Sequence, residues 1–348
     1  MRETSAPDAT IAFRTSGQSG TPVTWMRTPQ QIVAEALLVA ACLPERVDRV
    51  ITYAPPLHLY GRIFSDALPA YLGVPVEDAW HEPLRPPHLP PDERVLIVCL
   101  PATWRLLRDL VPRLGTPPAV TAVHGTGRLT PEGAAVVESL AETPFGGFEI
   151  FGSTETGAIA HRPLGGGEWT LFRDVEMLTK HGAEHSQQRL RVRSPRLARS
   201  PGGPREPDGH TLDDLVVPTG ERTFLVTGRA SRMLKVNGRR VHLERVEDTL
   251  CAAFPGIDVA CVPWDDPVRG EHYSIVCATA AVTLPDADID RVIRAMDPLP
   301  ALPRTIHRVT SIPRGDTGKV RLDRLATHLG ARPGVTSAMG ATRSELGS

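Results

Sequence analysis

Residues 148–151, Phe148-Glu149-Ile150-Phe151, run straight into Gly152-Ser153-Thr154-Glu155-Thr156-Gly157, so a short apolar stretch ends in hydroxyls, glycines and one carboxylate. The first part reads as a strand and the second as a polar loop leaving its C-terminal end. Such a loop offers an aromatic face for a flat base, hydroxyls for a phosphate and Glu155 for a hard cation. Mg2+ takes one or two protein carboxylates and fills the rest of its shell with phosphate oxygens and water, so one glutamate suffices here. Taken alone, the same run is also an ordinary strand-end turn with a satisfied glutamate.

The surroundings suit a loop-rich α/β enzyme. Upstream, apolar runs over 50–54, 95–100 and 120–123 read as buried strands, 29–43 and 130–140 read as helices, and a helix runs through 104–107. Thr130 before Pro131 is an N-cap followed by proline at the first helical position. Strand–helix alternation of this kind implies a mainly parallel sheet. Past residue 157 the character changes, and 190–192 and 224–226 read as alternating strands of a smaller β-rich unit. The arginines at 191, 193, 196 and 199 read as a solvated strand face and loop, and 196–210, rich in Pro, Gly and Arg, as a mobile loop. A second compact unit begins near Gly228, with strands over 259–263 and 275–280 and helices over 244–254 and 288–296. Residues 331–348 have the weak periodicity of a disordered tail.

Bulk properties exclude several classes. The chain has 348 residues, 41% of them hydrophobic, and a formal net charge of -1, so nothing electrostatic draws it to nucleic acid or to an anionic membrane. The longest helical apolar stretch, 32–43, is interrupted by Glu35 and is far short of the ~20 residues a membrane span needs. The five cysteines (Cys42, Cys99, Cys251, Cys261, Cys277) are scattered, as expected of reduced thiols in a cytoplasmic protein. The 12 histidines show no ligand spacing, and no metal is expected beyond Mg2+.

Three further motifs matter by their order. Thr15-Ser16-Gly17-Gln18-Ser19-Gly20-Thr21-Pro22 is dense in glycine and hydroxyls and can wrap phosphate oxygens, although no Gly-Lys-Ser/Thr follows it. Gly228-Arg229 precedes Lys235-Val236-Asn237-Gly238-Arg239-Arg240, where Asn237-Gly238 is a two-residue hairpin turn flanked by Lys235 and Arg240. Ile312-Pro313-Arg314-Gly315-Asp316-Thr317-Gly318-Lys319 is a glycine-rich loop presenting one lysine. In this order the four motifs resemble the adenylate-forming superfamily of acyl-CoA ligases, luciferases and peptide-synthetase adenylation domains. The resemblance runs from about residue 11 to 327, supported by His124-Gly125-Thr126-Gly127, by 190–195 and by Asp213-Asp214-Leu215-Val216. Pro55-Pro56-Leu57-His58-Leu59-Tyr60-Gly61 looks like the stand-alone acid ligases of secondary metabolism.

The resemblance implies the adenylate-forming ligase fold: a truncated large α/β domain over 1–227, a small mobile α/β lid over 228–330, and the tail. It implies ATP and Mg2+ as cofactors, a carboxylic acid as substrate, and acyl transfer to CoA or a phosphopantetheinyl carrier protein, with an amine or other nitrogen nucleophile left open. By position, Thr15, Ser16, Gly17, Ser19 and Gly20 would wrap phosphates. Phe151 would stack on adenine beside Gly125 and Thr126, with Gly152 and Ser153 next to it. Thr154 would hold the α-phosphate and Glu155 the Mg2+. Asp214 would bind the ribose with Arg229 beside it. His58 and Gly157 would border the acyl pocket. Lys319, on an exposed lid loop, would bridge the carboxylate and the α-phosphate. Two positions depart from the family pattern: Val23 stands where a lysine is usual, and Ser231 where a hinge aspartate is usual. The phosphate loop lies close to residue 1, so an N-terminal subdomain is expected to be missing, and a homodimer or partner chain is expected to cover the face near residues 1–60. A non-catalytic homologue that binds nucleotide or a partner protein is the alternative.

Overall fold

The apolar runs become the strands of one large sheet. β1 (Ile11–Arg14) and β2 (Thr24–Arg27) form a separate hairpin. The large sheet then takes β3 (Arg49–Thr52), β4 (Val76–Asp78), β5 (Val95–Cys99), β6 (Val120–His124), β7 (Phe145–Ser153), β8 (Gly157–Pro163), β9 (Trp169–Leu171), β10 (Glu176–Met177), β11 (Gln188–Arg193), β12 (His210–Pro218) and β13 (Thr223–Arg229). Its order is β10-β11-β12-β13-β9-β8-β7-β6-β5-β3-β4. From β4 through β7 neighbouring strands are parallel, and from β7 through β10 they are antiparallel. Residues 190–192 and 224–226 therefore extend the large sheet and do not belong to a separate β-rich unit. Strand alternation is what both arrangements predict, so the sequence pattern could not separate them.

The computed structural model describes residues 9–14, 23–44, 46–115, 119–179, 187–203, 208–236, 239–266, 270–278, 284–297, 299–316 and 318–329. Two units result: a larger one of Met1–Ser16, Pro22–Ala230 and Arg314–Val320, and a smaller one of Gly17–Thr21, Ser231–Pro313 and Arg321–Ser348.

In the larger unit, β5 is buried along its whole length, as a parallel strand covered on both faces must be. Helix α1 (Pro29–Ala40) starts at a capping box, in which the Thr28 hydroxyl accepts from Gln31 N–H and the Gln31 side chain accepts from Thr28 N–H. It buries Ile32, Glu35, Ala36, Leu38 and Val39. A helical run absent from the sequence reading follows the Pro55-Pro56 pair: α2 (Leu59–Gly61), a π-helical turn over Arg62–Ala67, and α3 (Leu68–Leu72). Its start lies so close to Pro55 that a Cβ on Gly61 would stand 2.0 Å from the Pro55 carbonyl oxygen. Helices α4 (Thr103–Arg108), α5 (Val111–Leu114) and α6 (Pro131–Ser139) complete this unit, and the Thr130 hydroxyl accepts from Gly133 N–H as the expected N-cap of α6.

The smaller unit pairs β14 (Met233–Val236) with β15 (Arg239–His242), Lys235 opposite Arg240, as a hairpin turning at Asn237-Gly238 requires; those two turn residues lie outside the described set. It adds α7 (Leu243–Ala253), β16 (Asp258–Asp266), β17 (Gly270–Ala278), α8 (Asp286–Arg294), β18 (Ile306–Val309) and α9 (Leu322–His328). Its own core holds Val241, Val246, Leu250, Tyr273, Ile275 and Ile289. Arg232 donates to the Cys261 carbonyl and to Glu247, whose carboxylate also accepts from Cys261 N–H at 2.6 Å.

Candidate active site

Parallel pairing sets Cys99 beside His124 and His124 beside Glu149. The chain therefore leaves β5, β6 and β7 along one edge of the sheet, which brings residues 125–127 and 152–157 to the same edge. The strands change from parallel to antiparallel at β7 and β8, the kind of position at which open α/β sheets bind ligands.

The loop between β7 and β8 is held rigidly. Thr156 is fully buried; its hydroxyl accepts from Ser153 N–H at 3.1 Å and donates to the Gly157 carbonyl at 2.9 Å. At Gly152, where the β7–β8 register shifts, a Cβ would meet the Gly157 carbonyl oxygen at 2.0 Å, so only glycine lets the two strands approach. Gly157 has φ +69, the left-handed region that favours glycine. Thr154 and Glu155 are half-buried on this loop. The Phe151 ring lies 5.2 Å from Trp169 and 5.7 Å from Phe224, centroid to centroid, so its contacts reach into the sheet core.

The neighbouring loop is braced from below. His124 is fully buried; its Nδ1 accepts from Trp104 Nε1 at 3.0 Å, which leaves Nε2 to donate to the Gly127 carbonyl at 3.1 Å. Burial lowers the His124 pKa, so the neutral tautomer these bonds require is the favoured one. Above it Thr126 sits at φ +67, the only non-glycine with positive φ among the described residues. Strain of this kind costs about 1–3 kcal/mol and gathers where a site must present a defined backbone surface. Tyr60 closes the floor. Its hydroxyl lies 3.3 Å from the Cys99 carbonyl and 3.2 Å from that of Val123, and a Cβ on Gly125 would strike its ring at 2.5 Å.

Asp214 and Arg229 face each other across β12 and β13, 3.5 Å apart. The Arg314–Val320 segment is a closed turn in which Gly315 N–H donates to the Lys319 carbonyl at 2.8 Å and Arg314 donates to the Gly318 carbonyl at 2.6 Å. Lys319 is half-buried, which corrects the expectation of an exposed loop residue. Burial lowers its pKa, with Arg229 pushing the same way and Asp214 and Glu155 opposing. Lys319 is thus within electrostatic reach of three residues read as binding ribose and metal. His58 is half-buried at the start of α2; burial lowers its pKa, Asp316 opposes and Lys319 adds to the effect. Thr15, Ser16, Gly17, Ser19 and Gly20 lie outside the described residues.

A buried charge cluster lies directly behind the Thr154–Gly157 loop. Arg27, Glu35 and Arg196 are 0%, 3% and 1% exposed. Arg196, expected on a solvated face, is instead forked onto Asp174 at 2.7 and 2.9 Å, because that carboxylate and Glu35 satisfy its charge inside the fold. The sequence carried one signal of this cluster: Glu35 breaks the apolar pattern of α1, and a carboxylate on a core-facing helix position demands a partner.

Among the described residues no three His, Cys, Asp or Glu side chains converge on a metal site, and no helix is long and apolar enough to cross a membrane. A cation held by Glu155 and phosphate oxygens fits that donor set, since Mg2+ needs few protein ligands.

No family model matches the chain. It is 30% identical over 240 residues to a 4-coumarate–CoA ligase of Halorhodospira halophila, which covers 66% of this chain and 54% of that protein. To a 4-coumarate–CoA ligase of Rhodobacter capsulatus it is 26% identical over 324 residues, 90% of this chain and 75% of the relative. The chain thus spans about half the length of the first of these proteins. Its fold matches ATP-bound MatB from Rhodopseudomonas palustris with a TM-score of 0.70 at 15% identity, over 91% of this chain and 67% of that one. The amide bond synthetase McbA from Marinactinospora thermotolerans matches with a TM-score of 0.71 at 19% identity, over 94% and 71%. The motif order, the sheet topology and these relatives agree in supporting the likeness to the adenylate-forming superfamily.

Proposed function

We propose that the protein is an ATP-dependent, AMP-forming carboxylic-acid ligase. On this reading it joins an acid to AMP with release of pyrophosphate and then passes the acyl group to a nucleophile. The observation that carries the reading is the Asp214–Arg229 pair, 3.5 Å apart across β12 and β13, with a half-buried Lys319 that feels the charges of both and of Glu155. Carboxylate attack on the α-phosphorus brings two anions together, so fixed cations must screen the repulsion and stabilise charge in the transition state. Lys319 supplies a point charge that can reach both anions. Asp214 binds the ribose hydroxyls, with Arg229 beside it, and Phe151 and the Gly125-Thr126 backbone border the base. Thr154 holds the α-phosphate. Glu155 would hold Mg2+, which when bound neutralises charge on the phosphate oxygens. CoA is the acceptor suggested by the curated relatives, and the likeness to an amide bond synthetase keeps an amine in view. A cytoplasmic location is part of the same reading.

The test is pyrophosphate release with ATP and Mg2+ over a panel of carboxylic acids, with CoA or amines added in a second round. Lys319→Ala is expected to lower adenylation about 10²–10³-fold, the scale for removing one preorganised donor of charge, and to slow transfer from a pre-made acyl-adenylate much less. Near wild-type adenylation by this variant would remove Lys319 from the chemistry. Nucleotide binding without pyrophosphate release for any acid would favour the non-catalytic alternative.

A further inference from the structure

We infer that Arg27 and Glu35 are positioning residues that fix the backbone of the Thr154–Gly157 loop, and through it the Glu155 carboxylate. The inference rests on the proposed function for what Glu155 does; the clamp itself is visible in the geometry. Two backbone groups of the loop and one of the residue that follows it are gripped from outside. The Thr154 carbonyl accepts from both Nε and Nη2 of Arg27, at 3.2 and 3.1 Å. Ala158 N–H donates to Glu35 Oε1 at 2.7 Å, and the Glu155 carbonyl accepts from Ala198 N–H at 2.8 Å. These grips are themselves joined. Arg27 Nη1 donates to the Arg196 carbonyl at 2.6 Å, and Glu35 Oε2 lies 3.7 Å from Arg27 Nη1 and 3.3 Å from Arg196 Nη1. The second contact is too poorly aligned for a hydrogen bond, so the Arg196–Glu35 pairing is mainly charge on charge.

Stability alone does not account for this arrangement. Replacing a buried ion pair or triad with well-packed apolar side chains is often neutral or stabilising, because ions are costly to desolvate. An apolar core, however, cannot orient a carbonyl. The Arg27 guanidinium reaches one with two parallel N–H groups and an adjoining segment with the third nitrogen, in a planar fork that lysine lacks. Arg27 also ends β2, whose backbone is pinned to the 198–199 segment by Met26 N–H to the Arg199 carbonyl at 2.7 Å and Arg199 N–H to the Met26 carbonyl at 2.9 Å. β2 follows the hydroxyl and glycine loop in sequence. The clamp therefore links the strand leaving that loop to the loop that carries Glu155.

The test uses the full chain with Arg27→Met and Arg27→Lys. Deuterium exchange in peptides over 151–158 should quicken at least about tenfold in both variants while peptides over 95–99 stay as in wild type, because local opening of a segment tracks the bonds that hold it. In pyrophosphate release, Arg27→Met should lower kcat about 10- to 100-fold, since a 1 Å misplacement of a reacting group costs on that scale. It should also raise the Mg2+ concentration for half-maximal rate, and Arg27→Lys should recover part of both losses. In a Glu155→Gln background Arg27→Met should add less than about twofold, because the two act through one group. An unmoved Mg2+ curve with multiplicative losses, or unchanged exchange over 151–158, would overturn the inference. If Arg27→Met does not fold, Arg27→Lys carries both measurements. If the wild-type protein releases no pyrophosphate with any acid, the proposed function falls, and the exchange experiment still decides the clamp.

Discussion

Replacing Gly157 by alanine should cost far more stability than the same change at Gly165, although the two glycines share φ +69. The left-handed conformation costs a side-chain-bearing residue roughly 1–2 kcal/mol, and that term is common to both sites. At Gly165 a Cβ meets nothing within 4 Å. At Gly157 it would stand 2.2 Å from Glu35 Oε2, 3.0 Å from Glu35 Cδ and 3.1 Å from Arg27 Nη2. The Glu35 carboxylate cannot simply swing aside, because it accepts from Ala158 N–H and faces two arginines in a cluster closed to solvent. Overpacking a rigid interior costs typically about 1–3 kcal/mol, so Gly157→Ala should lose about 2–5 kcal/mol in all against about 1–2 for Gly165→Ala. Urea unfolding of the two variants beside wild type gives the difference directly, read from shifts in midpoint at constant m. Equal losses, within about 0.5 kcal/mol, would show that the cluster yields to a methyl group. Gly157 would then need another reason to be glycine, such as the acyl-pocket position that its place in the motif implies.

Tyr60→Phe should cost about 1 kcal/mol, the net worth of a buried hydrogen bond, and leave nucleotide binding nearly unchanged, since the ring against Gly125 remains. Unfolding midpoints and ATP affinity check the two halves, and a large loss of affinity with no loss of stability would contradict the reading of Tyr60 as a floor. Stability should also fall on mild acidification. Burial lowers the pKa of His124, of His58, of His161 and of His210 from the ordinary 6.5. Between the lowered folded values and 6.5 the unfolded chain binds more protons, so stability is full above 6.5 and is lost as pH falls through the folded values, by about 1.4 kcal/mol for each unit of depression. Around His124, Glu149 opposes the shift and Arg162 adds to it. His124→Gln should flatten part of that slope in chemical unfolding measured across this range, and an unaltered slope would contradict the buried neutral histidine.

What could be read in the sequence was whatever a local pattern determines. Continuous apolar runs gave β5 and β6, and Thr130-Pro131 gave the start of α6. The parallel half of the sheet follows from helices inserted between strands. The run from Leu59 to Leu72 went unread because its π-helical turn over Arg62–Ala67 shifts the helical periodicity that would have revealed it. The continuation of the sheet through β8 to β13 went unread for another reason: period-two alternation marks a strand and says nothing about which neighbour it pairs with. Arg196 was misplaced because an arginine in a Pro/Gly-rich segment carries no local mark of burial. Only its partners, Asp174 and Glu35, decide that, and they lie 22 and 161 positions away in the chain.

The same distinction separates the two layers of the site. Of the residues proposed for the site, Thr154, Glu155 and Lys319 lie on loops, Phe151 near the end of β7 and Asp214 midway along β12, and each belongs to a short motif legible in the sequence. The side chains that fix those loops come from elsewhere and share no motif: Arg27 ends a hairpin strand, Glu35 lies on a helix, Trp104 on another, and His124 ends β6. Each presents a polar group from within the fold to a backbone carbonyl or amide near the site, directly or through one partner. A loop at the end of a parallel strand has no ladder to satisfy its peptide groups, and a buried peptide group left unpaired costs about as much as a lost hydrogen bond. The strand ends at β6 and β7 therefore create the need that His124 and Arg27 meet. A polar residue interrupting an apolar helix or closing an apolar strand is then the sequence feature to inspect beside any motif that follows a parallel strand. Glu35 and His124 both have that form.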